Sequence, residues 1–205
     1  LTNRVAAIIG AEAVVTTQSD NSNLWALDTI GDKFDWQIAT NVESFNDPLS
    51  SFVNGKPTAL LLDIRDEGTA FLERTKPDHV DVYYKYSDID FSKYKLLIAV
   101  SPYLYDNTLI DSIYYYPKVL HLGIGCRKDC NPQGVAEYIV DQLKQSKIAP
   151  LSIKDISTID LKKDELLLSE LQSYFNLDSP YIYTAEQLKD IEVPNPSTKV
   201  QEVTT

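Results

Sequence analysis

The sequence has little of the material that metal centres and disulfide frameworks need. It contains two cysteines, two histidines and no methionine. Cys126 and Cys130 are spaced too widely for a C-x-x-C redox motif. His79 and His121 do not supply the further donors that a tetrahedral zinc site requires. We therefore expect no protein metal site and no cofactor, and we interpret His121 as a structural residue whose ring faces away from the leucines beside it.

Basic charge and long apolar runs are also scarce. Nineteen lysines and arginines stand against 30 aspartates and glutamates, which gives a net charge of −11. Non-specific nucleic-acid binding needs a basic surface, so nucleic acid is excluded as a partner. No apolar run approaches the ~20 residues of a membrane-spanning helix, and the apolar tract near the N-terminus is too short for a signal peptide. With only two cysteines, the sequence predicts a cytoplasmic protein without a membrane partner.

The chain does contain apolar runs that alternate between strand-like and helix-like patterns. Hydrophobic residues make up 43% of its 205 residues, enough for more than one buried core. We predict an α/β protein: the end of an N-terminal domain over residues 1–37, a smaller α/β middle domain over residues 38–112, and a C-terminal domain over residues 117–205. The last is expected to be a three-layer α/β domain with a mostly parallel sheet, because strands and helices alternate along it.

The predicted elements of the first two pieces follow from periodicity and turn residues. A first helix ends at Gly10, and a short strand precedes a second helix. The middle piece has a short helix that ends at Asn54 and three buried strands. The tyrosine-rich segment 103–117 is interpreted as a connector whose tyrosines pack between domains. The predicted ranges are a strand over 13–17, a helix over 24–34, and strands over 58–64, 80–86 and 95–101.

The C-terminal piece opens with the segment VLHLGIGCRKDC, residues 119–130, which is apolar up to Ile124 and then becomes small and basic. A strand over 118–124 is predicted to lead into a helix over 133–146. Asn131 is expected to be the N-cap of that helix, with Pro132 in its first turn. The remaining predicted elements are a strand over 155–161, a helix over 163–176, a strand over 180–184 and a helix over 185–191.

Parallel α/β sheets bind ligands at the carboxyl ends of their strands, and two loops of this piece fit that position. If their strands are neighbours, basic groups from both loops meet at one edge, beside helix N-termini that favour anions. The pattern predicts a ligand with several carboxylates or phosphates, although doubled lysines at a helix start are also typical of a solvated surface. A dinucleotide site is disfavoured because the third glycine of its motif is missing. The candidate binding residues are Gly123, Gly125, Cys126, Arg127, Lys128, Lys162 and Lys163.

Four segments of this piece resemble one protein family. GIGCRK (123–128), STIDLKKDE (157–165), YTAEQL (183–188) and VPNPSTKV (193–200) occur in the order and spacing of the C-terminal domain of the cobalamin biosynthesis protein G (CbiG) family. The opening LTNRVAAIIGAEAVVTTQSDN and LWALD are similar to the end of the family's N-terminal domain. The middle piece lies where the family has its middle domain, so the resemblance spans nearly the whole chain.

The resemblance implies a cobalt-precorrin-5A hydrolase of the anaerobic branch of vitamin B12 synthesis. Such an enzyme opens the δ-lactone on ring A of a cobalt corrinoid to give cobalt-precorrin-5B and acetaldehyde. The substrate carries many acetate and propionate arms, which fits an anion-binding loop, and the cobalt belongs to the substrate. Lactone hydrolysis needs an activated water and a stabilised oxyanion. Candidate bases are Asp160, Glu165 and Asp20, each equally well explained as a helix cap or a surface carboxylate, and backbone N–H groups near Gly125–Arg127 are candidate oxyanion donors.

Departures from the family limit this expectation. The family's segments upstream of Leu1 and beyond Thr205 are missing, so we expect a fragment that is inactive by itself, and Cys130 and Pro132 stand where many relatives have small polar residues. The alternative is a non-catalytic corrinoid-binding or channelling module, associated with other enzymes of the pathway or fused to a precorrin methyltransferase. Release of acetaldehyde separates the two functions.

Overall fold

The computed structural model describes residue 6 and residues 8–11, 24–106, 108–189 and 191. The predicted strand over 13–17 lies outside these residues. By packing, the chain forms two compact units: a first that reaches Ser101 and resumes over residues 106–117, and a second made of residues 102–105 and the chain from Lys118 onward. The domain boundaries predicted from sequence are not tested by this division and stay predictions.

The first unit contains a five-stranded, mostly parallel sheet in the order β1-β5-β4-β2-β3. Strands β2 to β5 run parallel to one another, and β1 pairs antiparallel with β5 at the edge. The strands are β1 (Trp36–Thr40), β2 (Thr58–Leu62), β3 (Val80–Tyr83), β4 (Leu96–Val100) and β5 (Asp111–Pro117), and the helices are α1 (Ile30–Phe34), α2 (Asn46–Val53) and α3 (Glu67–Thr75), with 3₁₀ turns over Tyr86–Asp88 and Phe91–Lys93.

The core of this unit is built on the central strands. Every residue of β2 and β4 is buried, as expected for strands inside a parallel sheet. Phe52 of α2 stacks on Trp25 with ring centroids 5.6 Å apart, and Trp36 packs against Tyr115 at 5.9 Å. Leu72 brings α3 into the same cluster. Burial of these large rings and aliphatic groups supplies most of the driving force for folding the unit.

Two predictions for this unit were wrong. The segment 103–117 is not a connector over its whole length, because residues 111–117 form β5, between β1 and β4 in the sheet. Tyr115 is fully buried there and its hydroxyl donates to the Leu27 carbonyl, so its polar end is satisfied inside the core. The helix predicted over 24–34 is formed only by α1, since Leu27–Thr29 adopt a turn.

The second unit contains a three-stranded parallel sheet in the order β6-β7-β8. The alternation of strands and helices predicted from sequence is confirmed, and the chain is an α/β protein with mostly parallel sheets. The strands are β6 (Leu120–Gly123), β7 (Ile153–Ile159) and β8 (Tyr181–Tyr183), and the helices are α4 (Val135–Gln145), α5 (Leu166–Phe175) and α6 (Ala185–Leu188), with 3₁₀ turns over Pro150–Ser152 and Asp160–Lys162.

Helices α4 and α5 cover one face of this small sheet. Ala136 of α4 and Leu168 and Leu171 of α5 form a buried cluster with Ile156 of β7. The N-cap predicted at Asn131 was wrong: α4 begins at Val135 after Gly134, whose φ of 78° suits glycine. The Asn131 side chain instead accepts a hydrogen bond from the Gln133 N–H in the preceding turn. Among the described helices, none is long and apolar enough to cross a membrane.

Candidate functional site

The two loops singled out by sequence lie at the same edge of the second unit's sheet. Strands β6 and β7 are parallel neighbours, with Gly123 opposite Ser157 near their carboxyl ends. The loop over residues 124–134 follows β6, and the loop over residues 160–165 follows β7. The geometric condition for a shared anion site is therefore present, because both loops leave the sheet on one side.

The first loop is held to β7 at its start. The Ile124 N–H donates to the Ser157 carbonyl at 2.8 Å, and the Thr158 hydroxyl donates to the Ile124 carbonyl at 2.7 Å. Cys126 and Cys130 then pack against the buried cluster under α4 and α5. These contacts fix both ends of the short segment between the cysteines while leaving its outer side in solvent.

The outer side of this loop is open and carries two exposed cations and one exposed carboxylate, that of Asp129. Arg127 and Lys128 are exposed, and a Cβ added at Gly125 would meet no atom within 4 Å. Within the described part of the chain, the N–H groups of residues 125–127 donate to no protein acceptor, and Arg127 and Lys128 form no ion pair. Free N–H groups beside unpaired cations are the donors that a carboxylate or phosphate needs.

The second loop has a different electrostatic arrangement. Lys162 Nζ lies 3.5 Å from Glu165 Oε1, and both side chains are largely buried, 24% and 10% exposed. The Asp160 carboxylate accepts a hydrogen bond from the Leu161 N–H at 2.8 Å. Lys163 is exposed and, among the described residues, has no carboxylate partner. Of the two lysines, only Lys163 is therefore available to a ligand without breaking an existing pair.

The two loops come together around Cys126. Burial raises the pKa of the Cys126 thiol, and the nearby Glu165 carboxylate raises it further, while Lys162 acts in the opposite direction. A thiol that is held protonated beside a paired lysine and carboxylate is a packing group and a hydrogen-bonding group rather than a reactive nucleophile. Cys126 thus joins the loops structurally.

Both long helices of the unit present their N-termini to this edge. Neither α4, capped by Gly134, nor α5, capped by Glu165, has a side-chain hydrogen bond at its N-cap. The Val135 N–H already donates to the Pro132 carbonyl and the Leu168 N–H to the Glu165 carbonyl, so only part of each first turn is open to an anion, while each helix dipole adds partial positive charge. In contrast, α6 is closed by a capping box in which Thr184 and Gln187 satisfy each other's backbone N–H groups.

The structure brings some of the predicted residues together and leaves others apart. Arg127, Lys128 and Lys163 are exposed at the shared edge, whereas Lys162 is committed to Glu165. Asp20 lies outside the described residues. In the described segments no group of three or more His, Cys, Asp or Glu side chains could hold a metal ion. An open depression of about 250 Å³ in the first unit, lined by Asn41 and residues 108–111, contains none of the predicted site residues.

One polar pair was missed by the sequence analysis. His121 Nδ1 lies 2.8 Å from both carboxylate oxygens of Asp155 on the neighbouring strand. The alternation around His121 correctly indicates that its ring faces away from the leucines, since β6 alternates between half-buried and exposed residues. The partner could not be identified in advance, because it depends on the register between β6 and β7.

Comparisons with known proteins agree with the resemblance seen in the sequence. The family described as "Cobalamin biosynthesis central region" matches residues 25–117, and "Cobalamin synthesis G C-terminus" matches residues 120–205. A cobalt-precorrin-5A hydrolase of Priestia megaterium is 28% identical over 204 residues, which cover 98% of this chain and 54% of that protein. One of Salmonella typhimurium is 29% identical over 203 residues, 94% of this chain and 54% of that protein.

A solved structure of a cobalamin biosynthesis protein G homologue from Sulfolobus solfataricus is 13% identical and covers 98% of this chain and 56% of that chain, with a TM-score of 0.35. The two family matches together span most of the chain and define a protein of cobalamin biosynthesis. The chain belongs to the CbiG family. It spans about half the length of the curated relatives that it matches.

Proposed function

We propose that this chain takes part in the hydrolysis of the ring A δ-lactone of cobalt-precorrin-5A, with release of acetaldehyde and formation of cobalt-precorrin-5B. The observation that carries the proposal is the group of three exposed cations without an ion-pair partner among the described residues, Arg127, Lys128 and Lys163, at the carboxyl edge of the second unit, beside the N-termini of α4 and α5. The relatives are named for this hydrolase activity. In an acidic chain, three unpaired cations at one edge suit a substrate with several carboxylate arms, although the exposed Asp129 and Asp164 lie in the same loops.

The residues of this edge divide into binding and catalytic candidates. Arg127 can hold a carboxylate through two parallel hydrogen bonds, which makes it the strongest binding candidate. The N–H groups of Gly125–Arg127 suit the oxyanion that develops when water attacks the lactone carbonyl. Asp160 and Glu165 remain candidate bases, although each carboxylate already has a partner. The cobalt enters with the substrate, and we propose no resident cofactor.

The proposal is tested first by binding. Replacing Arg127 by alanine should weaken the affinity for a polycarboxylate cobalt corrinoid roughly 10- to 100-fold, the loss expected for a charge-assisted hydrogen bond. Lys144 is the matched control, since it is an exposed cation on α4 far along the helix from the edge. Binding should also weaken with salt, because exposed charges are screened over ~8–10 Å. Equal losses for the two variants would contradict a specific site.

A non-catalytic corrinoid-binding or channelling role is the second candidate. The observation that favours it is that both described candidate bases, Asp160 and Glu165, already have partners. In that role the partners would be other enzymes of the pathway. Acetaldehyde release from cobalt-precorrin-5A incubated with the chain supports the hydrolase. Because the chain spans about half of its relatives, the other outcome is read with the chain joined to the remaining segments of the Priestia megaterium relative, where tight binding without acetaldehyde supports the binding module.

A further inference from the structure

The face of the second unit's sheet that is opposite α4 and α5 carries polar and aromatic groups, of which His121 and Tyr181 are exposed and Asp155 and Ser157 are half-buried. The pairings of His121 with Asp155 and of Ser157 with Tyr181 put these four side chains on one face, because paired residues of parallel strands share a face. Tyr181 is 55% exposed. Three strands at a spacing of ~4.8 Å make this face about 10 Å wide, enough to support a flat ligand.

The imidazole on this face is oriented by its neighbour. Both oxygens of the Asp155 carboxylate lie 2.8 Å from His121 Nδ1, and the Asp155 side chain is only 14% exposed whereas that of His121 is 62% exposed. The carboxylate accepts the Nδ1 proton, so the free lone pair belongs to Nε2 in the neutral ring. Nε2 has no hydrogen-bond partner among the described residues.

An irregularity in the sheet creates this pair. The register between β6 and β7 shifts so that Leu120 lies opposite Ile153 while His121 lies opposite Asp155, which leaves Lys154 unpaired. Without the shift, the exposed Lys154 would stand opposite the histidine. β-bulges often redirect a side chain and are a designed part of a sheet. Here the bulge places the Asp155 carboxylate, and not the Lys154 ammonium group, beside the His121 ring.

A histidine whose Nδ1–H is held by a carboxylate and whose Nε2 is open is the arrangement that proteins use to ligate a transition metal. A cobalt corrinoid offers such a metal, since the ring nitrogens hold the cobalt in a plane and leave axial positions above and below it. We propose that His121 Nε2 is an axial ligand to the cobalt of the corrinoid substrate, with Asp155 as the positioning residue. This inference rests on the proposed function, because it takes the ligand of the chain to be a cobalt corrinoid.

This position of the corrinoid is consistent with the exposed cations at the carboxyl edge of the sheet. An axial bond from a side chain that stands upright on the sheet lays the macrocycle parallel to the sheet face, with Tyr181 beneath its rim. From His121 to Gly125 the chain advances about 13 Å at ~3.3 Å per residue, so the acid arms of the ring extend toward Arg127 and Lys128. A Cβ added at Gly123 would meet no atom within 4 Å, so nothing on the strand blocks the ring between the two points.

The test uses Co(II) cobyrinic acid, a cobalt corrinoid with carboxylate arms, and this 205-residue chain. Binding is measured by equilibrium dialysis, and the axial ligand by electron paramagnetic resonance, in which an axial nitrogen splits the cobalt lines. We expect a three-line splitting that becomes two-line when the histidines carry ¹⁵N. The splitting should vanish in His121→Gln and persist in His79→Gln; these are the only histidines of the chain. Asp155→Asn should lower the His-ligated affinity about 10- to 100-fold.

The outcomes separate this inference from the proposed function. Binding without nitrogen splitting, or a splitting that survives in His121→Gln, overturns the axial ligand and leaves corrinoid binding standing. No binding of the corrinoid to the unaltered chain overturns both. Circular dichroism of each variant excludes unfolding as the cause of a lost splitting. Asp155→Asn is an independent variant, because it retains His121 and removes only the carboxylate that orients its ring.

Discussion

Both sheets of this protein are built mainly on parallel strands, which are buried to different degrees in the two units. In the first unit, β2 and β4 are buried at every residue. In the second unit, β6 alternates between half-buried and exposed residues, and all three residues of β8 are exposed. Central strands that are buried at every residue serve stability, whereas a sheet that keeps a face and an edge in solvent has surface available for a ligand.

The carboxyl edges of the two sheets differ in the same way. In the first unit the polar side chains at this edge satisfy one another: the Ser101 hydroxyl donates to Asp63 at 2.6 Å, and the Trp36 indole N–H donates to Asp66 at 3.2 Å. In the second unit Arg127 and Lys128 have no carboxylate partner among the described residues. Position in the fold alone therefore does not identify a site, since these described polar side chains of the first edge already have partners whereas the cations of the second edge do not.

The largest effect expected from this comparison is on the core of the first unit. Replacing Leu60, fully buried at the centre of β2, by alanine should lower the free energy of unfolding by about 2–5 kcal/mol, through lost apolar burial and the cavity left behind. Urea unfolding followed by tryptophan fluorescence measures this, because both tryptophans of the chain lie in the first unit. Ile182→Ala on the exposed β8 should lower the free energy of unfolding of the second unit, followed by far-UV circular dichroism, by less than about 0.5 kcal/mol. Similar losses for the two variants would contradict the comparison.

Glycines of the two units should respond differently to a methyl group. A Cβ at Gly68 would lie 2.2 Å from Trp36 Cζ2, so Gly68→Ala must displace a packed ring and should cost about 1–3 kcal/mol, more than the helix gains from alanine. Gly125→Ala, in open space, should leave the free energy of unfolding within about 0.5 kcal/mol of the parent. Equal stabilities measured by urea unfolding would contradict the tight packing of the first unit.

Elements with a clear local pattern of apolar residues were predicted correctly from the sequence. Predictions were wrong where contacts between distant parts of the chain determine the structure. The buried strands β2 and β4 and the alternation of the second unit follow from apolar periodicity. Strand β5 was missed because its tyrosines carry polar hydroxyls, and only the Leu27 carbonyl, distant in sequence, makes Tyr115 a core residue. The start of α4 was predicted at the wrong residue because both Asn131 and Gly134 are acceptable N-caps. The conformation of the turn between them determines which of the two precedes the helix.

The candidate site was predictable only in part. The Gly-x-Gly and the basic residues after β6 indicate a loop at the carboxyl edge, and the order of elements makes β6 and β7 parallel. The pairing of Lys162 with Glu165 and the bulge that brings Asp155 to His121 depend on loop conformation and strand register. Neither the loop conformation nor the strand register can be deduced from a single sequence. Of the four predicted cations, only three are therefore available to a ligand, and the pairing of His121 with Asp155 was not predicted.

Helix capping gives an intermediate effect. The Asp66 side chain accepts the Thr69 N–H at 2.7 Å and the Trp36 indole N–H at 3.2 Å, so Asp66→Ala should destabilise the first unit by about 0.5–2 kcal/mol in urea unfolding. Asp66→Asn keeps an acceptor and should recover much of the loss. Thr184→Ala removes the cap of the four-residue α6, which is exposed, and should have little effect on the same transition. A loss in Asp66→Asn as large as in Asp66→Ala would argue against capping.

The smallest effect expected is a pH dependence carried by the histidine of the first unit. Burial lowers the pKa of His79 from its ordinary value of 6.5, against the opposing effect of the nearby Asp78. Nε2 is buried without a hydrogen-bond partner, and the ring packs on Phe52 at 5.0 Å. Protonation would place a charged donor in this apolar contact, so the folded unit binds a proton less readily than the unfolded chain does.

The sign of the pH dependence follows from that difference. Because the pKa of His79 is lower in the folded state, its contribution is present above pH 6.5 and is lost as the pH falls toward the folded value. Between about pH 7.5 and 5.5, Tm followed by tryptophan fluorescence should fall by on the order of a few °C. The fall should be smaller in His79→Gln and unchanged in His121→Gln, whose imidazole lies in the other unit. A rise in Tm on acidification, or the same fall in both variants, would remove His79 as the cause.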